Sequence, residues 1–310
     1  VRFVRFEAPP VLVAWGALTP WGRGPRAWSE AEPRGSEAAE DVERLAGLPE
    51  LAARRLDRFG LLAVAASRMA VPPAAGLPEG CGILLGSRHG CEASNRAYGR
   101  DLETLPAREL RPALFVRTVS GAAAADVSMA LGLRGPSQTF VSGAVAGAEA
   151  LVAAALILGA RAAPACLAGA VEAPSAGDPP LFEAAAVVHL APAGGDLTSR
   201  RAPRAPSPLR LTGAALGHDA EGAETAAVLA DEAPDIDDLI AVANPVPPEV
   251  LARWRAASGR ARVLVMGRHG DLGAAGAVVA AILADAGETR RAFVAARDRS
   301  GETGLLRFER

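Results

Sequence analysis

The sequence predicts an α/β fold with helices covering both faces of its sheets. Three observations carry that expectation. Short apolar, β-type runs alternate with helical stretches along the whole chain. The alternation is run through twice, on either side of a Pro/Arg/Ser-rich segment. Half of the 310 residues are hydrophobic, enough to bury one large core or two tightly joined half-cores.

Taken in order, Val11 to Ala14 is an apolar run ending at Gly16, before Thr19, Pro20 and Gly22, and reads as a strand leaving into a turn. Leu51 to Met69 carries apolar positions at helical spacing beside Arg54, Arg55, Asp57 and Arg58, an amphipathic helix. CGILLGSRHG is a buried strand that breaks at Gly86. An Ala-rich helix is expected over Thr118 to Leu131, a short strand over Ser137 to Val141 and a helix over Gly147 to Gly159. Strands are expected at Ala165 to Val171 and Ala184 to Leu190. Ala191 to Pro208 is the linker. Beyond it the order repeats: strand Leu209 to Leu216, helix Ala220 to Asp231, strand Leu239 to Ala243, helix Pro248 to Ala257, strand Arg262 to Met266, helix Leu272 to Ala286 and strand Leu305 to Phe308.

Composition removes several classes of function. A formal charge of -2 with no basic cluster gives no footprint for nucleic acid or an anionic membrane. The chain contains no lysine, which excludes Schiff-base and lysine-nucleophile chemistry. Cys81, Cys91 and Cys166 form no CxxC pair, so neither a disulfide scaffold nor a structural zinc site is expected, and a reducing cytoplasm fits. VRFVRFEAPP lacks a long apolar region, so no secretory signal is expected. The most apolar stretch, Ala144 to Ala160, is broken by Glu149 and too short for a membrane span.

Several segments carry a family resemblance in order along the chain. VLVAWGALTPWG with Trp28 resembles the opening strand and Gly-x-Leu-(S/T)-Pro-x-Gly turn of the β-ketoacyl-acyl-carrier-protein synthases. RRLDRF resembles their Arg-x-x-Asp-Arg helix start, GILLGSRHG their strand and glycine turn, and VSGAAAADVSMALGLRGPS their N-x-A-A-G-x-V-S-x-x-x-G-L-x-G-P segment. The resemblance implies a thiolase-like, five-layered αβαβα fold made of two pseudo-repeated halves, over residues 8–193 and, shortened, 207–310.

The catalytic set that the resemblance implies is altered at each position. FVSGAVAGAEAL falls where the family has its nucleophile elbow, T-A-C-A-(S/T)-G, and places Ala144 at the nucleophilic cysteine. Ser142 is the nearest hydroxyl, two residues earlier on a strand, and the bland reading is a small residue filling a tight turn. In LIAVANPVP the first family histidine aligns with Asn244, followed by Pro245. An amide can donate a hydrogen bond but cannot act as an acid or base near neutral pH. In VLVMGRHGDLGAAG the second histidine position is Gly270, with His269 one residue away and Val265 at the family's lysine. His269 either reaches the pocket by a one-residue shift or is a solvated loop histidine beside Asp271. The Gly-Phe-Gly-Gly-Thr-Asn loop is reduced to SGETGLLRFER, with Thr303 recognisable and no gating phenylalanine.

Cys166 reads as a small core hydrophobe, and Cys91 beside His89 as chance spacing. His218 and Asp219 read as a solvated turn, and the acids from Asp231 to Asp238 as a helix end and connecting turn. Neither a cofactor nor a metal is expected.

The resemblance implies a catalytically degenerate ketosynthase-like protein, a chain-length-factor partner of an active ketosynthase in type II polyketide, aryl polyene or fatty-acid-like biosynthesis. The partners expected are that ketosynthase subunit, as a heterodimer, or a second copy, and an acyl carrier protein. Two alternatives stay open: a residual acyltransferase or malonyl-carrier-protein decarboxylase, and a homodimeric non-catalytic acyl-binding protein.

Overall fold

The computed structural model describes residues 2–22, 41–71, 76–173, 182–194, 207–232, 234–266, 271–287 and 289–310. Trp28, His269, Gly270 and most of the expected linker lie outside them.

Among the described residues eleven strands form one continuous ladder: β1 (Val4–Arg5), β2 (Val11–Leu18), β3 (Gly82–Ser87), β4 (Ser137–Val141), β5 (Cys166–Glu172), β6 (Ala184–Ala191), β7 (Arg210–His218), β8 (Leu239–Val242), β9 (Arg262–Val265), β10 (Arg291–Arg297) and β11 (Glu302–Glu309). Their spatial order is β4-β3-β5-β6-β2-β7-β11-β10-β8-β9, with β1 on β7. Numbered within each half from β2 and from β7, both sets of five read 3-2-4-5-1. In both, the fifth strand is antiparallel to its neighbours, β6 to β5 and β2, β11 to β10 and β7, while the other pairs run parallel. The pairing of Val11 with Arg210 joins the two sheets. The repeat expected from the order of elements is therefore a repeat of topology and of strand direction.

The longer helices are α1 (Arg58–Met69), α2 (Glu92–Thr104), α3 (Ala122–Leu131), α4 (Ala146–Gly159), α5 (Ala223–Asp231), α6 (Pro248–Ala257) and α7 (Ala275–Ala286). Strand side chains sort by the period of two. Leu84, Cys166, Ala168, Val188, Ala241 and Val294 face a central core shared with α4 and α7. Their chain neighbours Ile83, Leu85, Leu167 and Val187 face α1 and α3, and Ile240, Val242 and Phe293 face α5 and α6. Sheets buried on both faces read as continuous apolar runs, which is why VLVAWGAL and AAAVVHLA show no alternation. The result is the five-layered, thiolase-like arrangement. Among the described residues no single helix is long and apolar enough to cross a membrane.

Several boundaries differ from the expectation. The helix expected over Leu51 to Met69 is broken: Asp57 leaves the helical path, accepts the Gly60 N–H at 2.9 Å and starts α1 as its N-cap. β2 runs on through Gly16, which α1 needs without a side chain, since a Cβ there would lie 2.2 Å from the Ala66 carbonyl oxygen. The helix expected from Thr118 begins at Ala122. α2 and β10 were absent from the expectation altogether.

Candidate functional site

The site is built where β4 runs into α4. Val141 ends the strand, Gly143 takes φ +73°, and a 3₁₀ turn over Gly143–Val145 leads into the helix. Three close approaches fix this elbow. A Cβ on Gly86 would lie 2.3 Å from the Ala146 carbonyl oxygen, one on Gly147 2.1 Å from that of Ala274, and one on Gly143 2.6 Å from Asp298 Oδ2. The elbow is thus wedged between β3, the start of α7 and the β10–β11 hairpin, with both halves of the molecule touching it.

Ala144 lies in that turn, fully buried. Its methyl group has no lone pair to attack a thioester. The environment would also suit a thiolate poorly, because the Asp298 carboxylate reaches the turn, held by Ser300 N at 2.9 Å, Ser300 Oγ at 2.6 Å and Glu302 N at 3.1 Å. Ser142 follows β4 and donates its hydroxyl proton to Glu149 on the first turns of α4. A carboxylate without an imidazole between them is a weak base for a hydroxyl.

Asn244 follows β8 into the centre of the molecule and is buried. Both of its amide hydrogens are taken: Nδ2 donates to the Gly273 carbonyl at 2.7 Å and to Asp271 Oδ1 at 3.3 Å. Its Oδ1 is buried without a partner. With both amide hydrogens committed, Asn244 has no hydrogen left to donate to an incoming carbonyl. Asn244 acts instead as a strut under the 271–274 turn.

That turn belongs to a polar bridge between the halves. Glu172, at the end of β5, accepts Arg88 N at 2.7 Å and Ala274 N at 2.8 Å on Oε1, and Ser87 Oγ at 3.3 Å on Oε2. Arg88 Nη1 in turn donates to Asp271 Oδ2 at 2.7 Å, and Asp271 Oδ1 accepts Gly273 N at 2.9 Å. Gly273, at φ +55°, has no room for a side chain, since its Cβ would lie 2.6 Å from Glu172 Oε1. Burial pushes the Glu172 carboxyl up to about 7, against the pull of the Ala274 and Arg88 N–H groups, the Arg88 guanidinium and Ser87. The bridge runs Glu172, Arg88, Asp271, Asn244 and occupies the ground between elbow and second half.

The remaining sequence candidates separate. His269 and Gly270 lie outside the described residues. Cys81 and Cys166 are buried thiols pushed up to about 12 and about 11, chiefly by desolvation, so neither is a nucleophile. Cys91 is buried too, and its Sγ donates to the Thr118 carbonyl at 3.0 Å. Asp219 is not solvated as expected. It is buried and accepts Thr225 N at 2.8 Å, closing the start of α5. Asp238 likewise is buried in an ion pair with Arg291 at 2.6 Å, so the acidic run is partly structural. Among the described residues no three His, Cys, Asp or Glu side chains gather at metal-binding distance. A cavity of about 500 Å³ lies at the far end of α4, lined by Leu158, Arg161, Pro164 and Pro192, a helix length of roughly 20 Å from the elbow.

Glu172, Arg88 and Asp298 were missed in the sequence. Glu172 did leave a signal: it is the lone charge closing the apolar run CLAGAVE.

The model of the β-ketoacyl synthase N-terminal domain matches residues 34–191, half of the chain. The chain belongs to the β-ketoacyl synthase family. Among solved structures it is similar to the ishigamide ketosynthase/chain length factor, at 20% identity and a TM-score of 0.73 over 97% of this chain and 99% of that one. It is also similar to a structure of a type II PKS acyl-carrier protein in complex with its ketosynthase bound to the hexaketide (AntDE:AntF), at 16% identity and a TM-score of 0.77 over 99% of each chain. At these identities the likeness is one of fold. No curated protein sequence matches the chain.

Proposed function

We propose that this synthase-family chain is a non-condensing subunit that pairs with an active ketosynthase in an acyl-carrier-protein-dependent, type II pathway, in the manner of a chain length factor. One observation carries the reading: Ala144 is buried at the elbow, so no nucleophile stands there. The commitment of both Asn244 amide hydrogens to Gly273 and Asp271 points the same way and weighs against a residual malonyl decarboxylase. The likeness to a ketosynthase/chain length factor supports the partner role. β4, one of the two end strands of the described sheet with β9 at the other end, gives a two-fold partner an edge to join.

The test of the chemical half is the purified chain alone with malonyl- and acyl-loaded carrier protein. Intact-mass spectrometry should find no acyl adduct, and the malonyl group should persist as in buffer. An adduct, or loss of carbon dioxide above that background, contradicts the reading.

A further inference from the structure

α4 ends on a residue that its backbone does not suit. The helix closes as a Schellman cap, with Arg161 N donating to the Leu158 carbonyl and Ala162 N to the Ile157 carbonyl, both at 3.0 Å. Such a cap needs a left-handed residue at position 161, and Arg161 takes φ +56°. Glycine fills that place without strain, whereas a Cβ in the left-handed region crowds the backbone. Every other described residue with positive φ is a glycine. No ion pair offsets the strain, since the exposed Arg161 has no carboxylate partner among the described residues. Attraction of a cation to the helix C-terminus does not account for it either. An arginine at 160 or 162 would gain the same attraction without the left-handed penalty, and both positions are alanine.

What sets position 161 apart is the cavity it borders. The space of about 500 Å³ at this end of α4 is walled by Leu158, Ala163, Pro164, Pro192 and Ala193, and Arg161 is its one charged lining residue. Small-molecule sites have volumes of about 300–1,000 Å³ and set a few polar groups in an apolar wall. The walls are also stiff. Pro164 lies just before β5 and Pro192 just after β6, and Pro164 sits over Gly80, where a Cβ would lie 3.2 Å from its Cδ. Alanine and proline have no rotamers with which to fill the space, so a ligand orders little on entering. Residues held in sparsely populated backbone regions cluster at ligand clamps, where the surrounding structure fixes them.

We propose that this cavity binds a short amphiphilic carboxylate, its hydrocarbon tail against Leu158, Pro164 and Pro192 and its carboxylate on the Arg161 guanidinium. The apolar wall selects the tail by burial, and the guanidinium fork selects a planar carboxylate through two parallel hydrogen bonds. A neutral hydrocarbon would leave the cation unmatched, and a bare anion would leave the wall wet. The site lies the length of α4 from the elbow and does not depend on the partner-subunit reading.

The experiment is titration calorimetry of the full chain with octanoate, with octanol and acetate as controls and melting temperatures alongside. The wild type should bind octanoate saturably, and octanol and acetate about tenfold more weakly or worse. Arg161→Gly should weaken octanoate binding about tenfold or more while raising the melting temperature of the ligand-free chain by about 1–2 °C, because the left-handed strain is relieved. Arg161→Lys keeps the charge and loses the fork, and should bind with intermediate affinity. Ala193→Trp, at an exposed position, fills the cavity and should abolish octanoate binding with the melting temperature unchanged. Octanoate binding as tight in Arg161→Gly as in the wild type removes Arg161 as the anchor and overturns the proposal. Acetate bound as tightly as octanoate leaves a surface anion contact only, and overturns it as well. So does a lower melting temperature in Arg161→Gly, which would make Arg161 a structural cap, or the absence of saturable binding at millimolar octanoate.

Discussion

His189 sits fully buried on β6 with neither ring nitrogen hydrogen-bonded, and desolvation drops it to about 4. Its folded value lies below the unfolded one, so the unfolded chain takes the proton first as pH falls. Stability is therefore lost as pH drops from about 6.5 toward 4, by about 3 kcal/mol. Glu172 has the opposite sign. Its folded value of about 7 exceeds the unfolded value, so its contribution declines as pH rises from about 4.5 to 7. Urea denaturation across pH 4–8 should show the two slopes opposing one another in the wild type. His189→Leu should flatten the acid limb and be more stable than wild type near pH 4.5. Glu172→Gln, which mimics the neutral acid, should gain on the wild type above pH 7. Parallel curves for variant and wild type would show that these groups do not titrate as their burial dictates. At the elbow, Ala144→Cys places a thiol in a fully buried turn, next in sequence to Gly143, which the Asp298 carboxylate approaches; burial disfavours the thiolate. The variant should stay unacylated by acyl-carrier protein and react with iodoacetamide several-fold more slowly than a free thiol; efficient loading and elongation would contradict the account.

The elbow shows at the scale of elements why glycine recurs there. Gly86 and Gly147 let β3, α4 and α7 approach until a single methyl would meet a carbonyl oxygen at 2.3 and 2.1 Å. Gly147→Leu should destabilise the fold by at least about 2–3 kcal/mol through overpacking, seen as a fall of several degrees in melting temperature. Unchanged folding and assembly would mean that the elbow does not pack this way. This region was legible because α4 and α7 are Ala-rich runs of helical length, and β3, β5 and β6 are short apolar runs between turn signals. α2 was not legible, since EASNRAYGRDLET buries little more than Ser94 and Asp101 and shows no apolar stripe. β10 was missed because RAFVAAR is buried along nearly its whole length and too short to separate strand from helix by period. The break before α1 needed the Asp57 cap, whose partners Gly60 N and Ser94 Oγ are three and thirty-seven residues away.

Over the whole molecule, the duplicated 3-2-4-5-1 order places the two central helices back to back and brings the end of β5, the turn after β3 and the start of α7 to one point. Ala144 and Asn244 could be singled out in the chain, because each falls in a segment continuous in sequence, and both prove to be buried. The polar bridge could not, since Arg88 and Asp271 are 183 residues apart and Glu172 and Ala274 are 102 apart. Only the closing of one half on the other makes them neighbours. The same closure brings Glu172, Arg88, Asp271 and Asn244 together between the elbow and the second half, and among the described residues Asn244 Oδ1 is left buried without a partner.

The proposed role is that of a chain that acts through a partner subunit and not through its own chemistry. Co-expression with the nearest-encoded ketosynthase, light scattering on the eluted species and a malonyl-carrier-protein condensation assay test it directly. The account predicts a one-to-one complex whose condensation requires this chain, yet is unaffected when Cys81, Cys91 and Cys166 are each replaced by serine. A chain that elutes alone and turns over malonyl or acyl thioester by itself would contradict it.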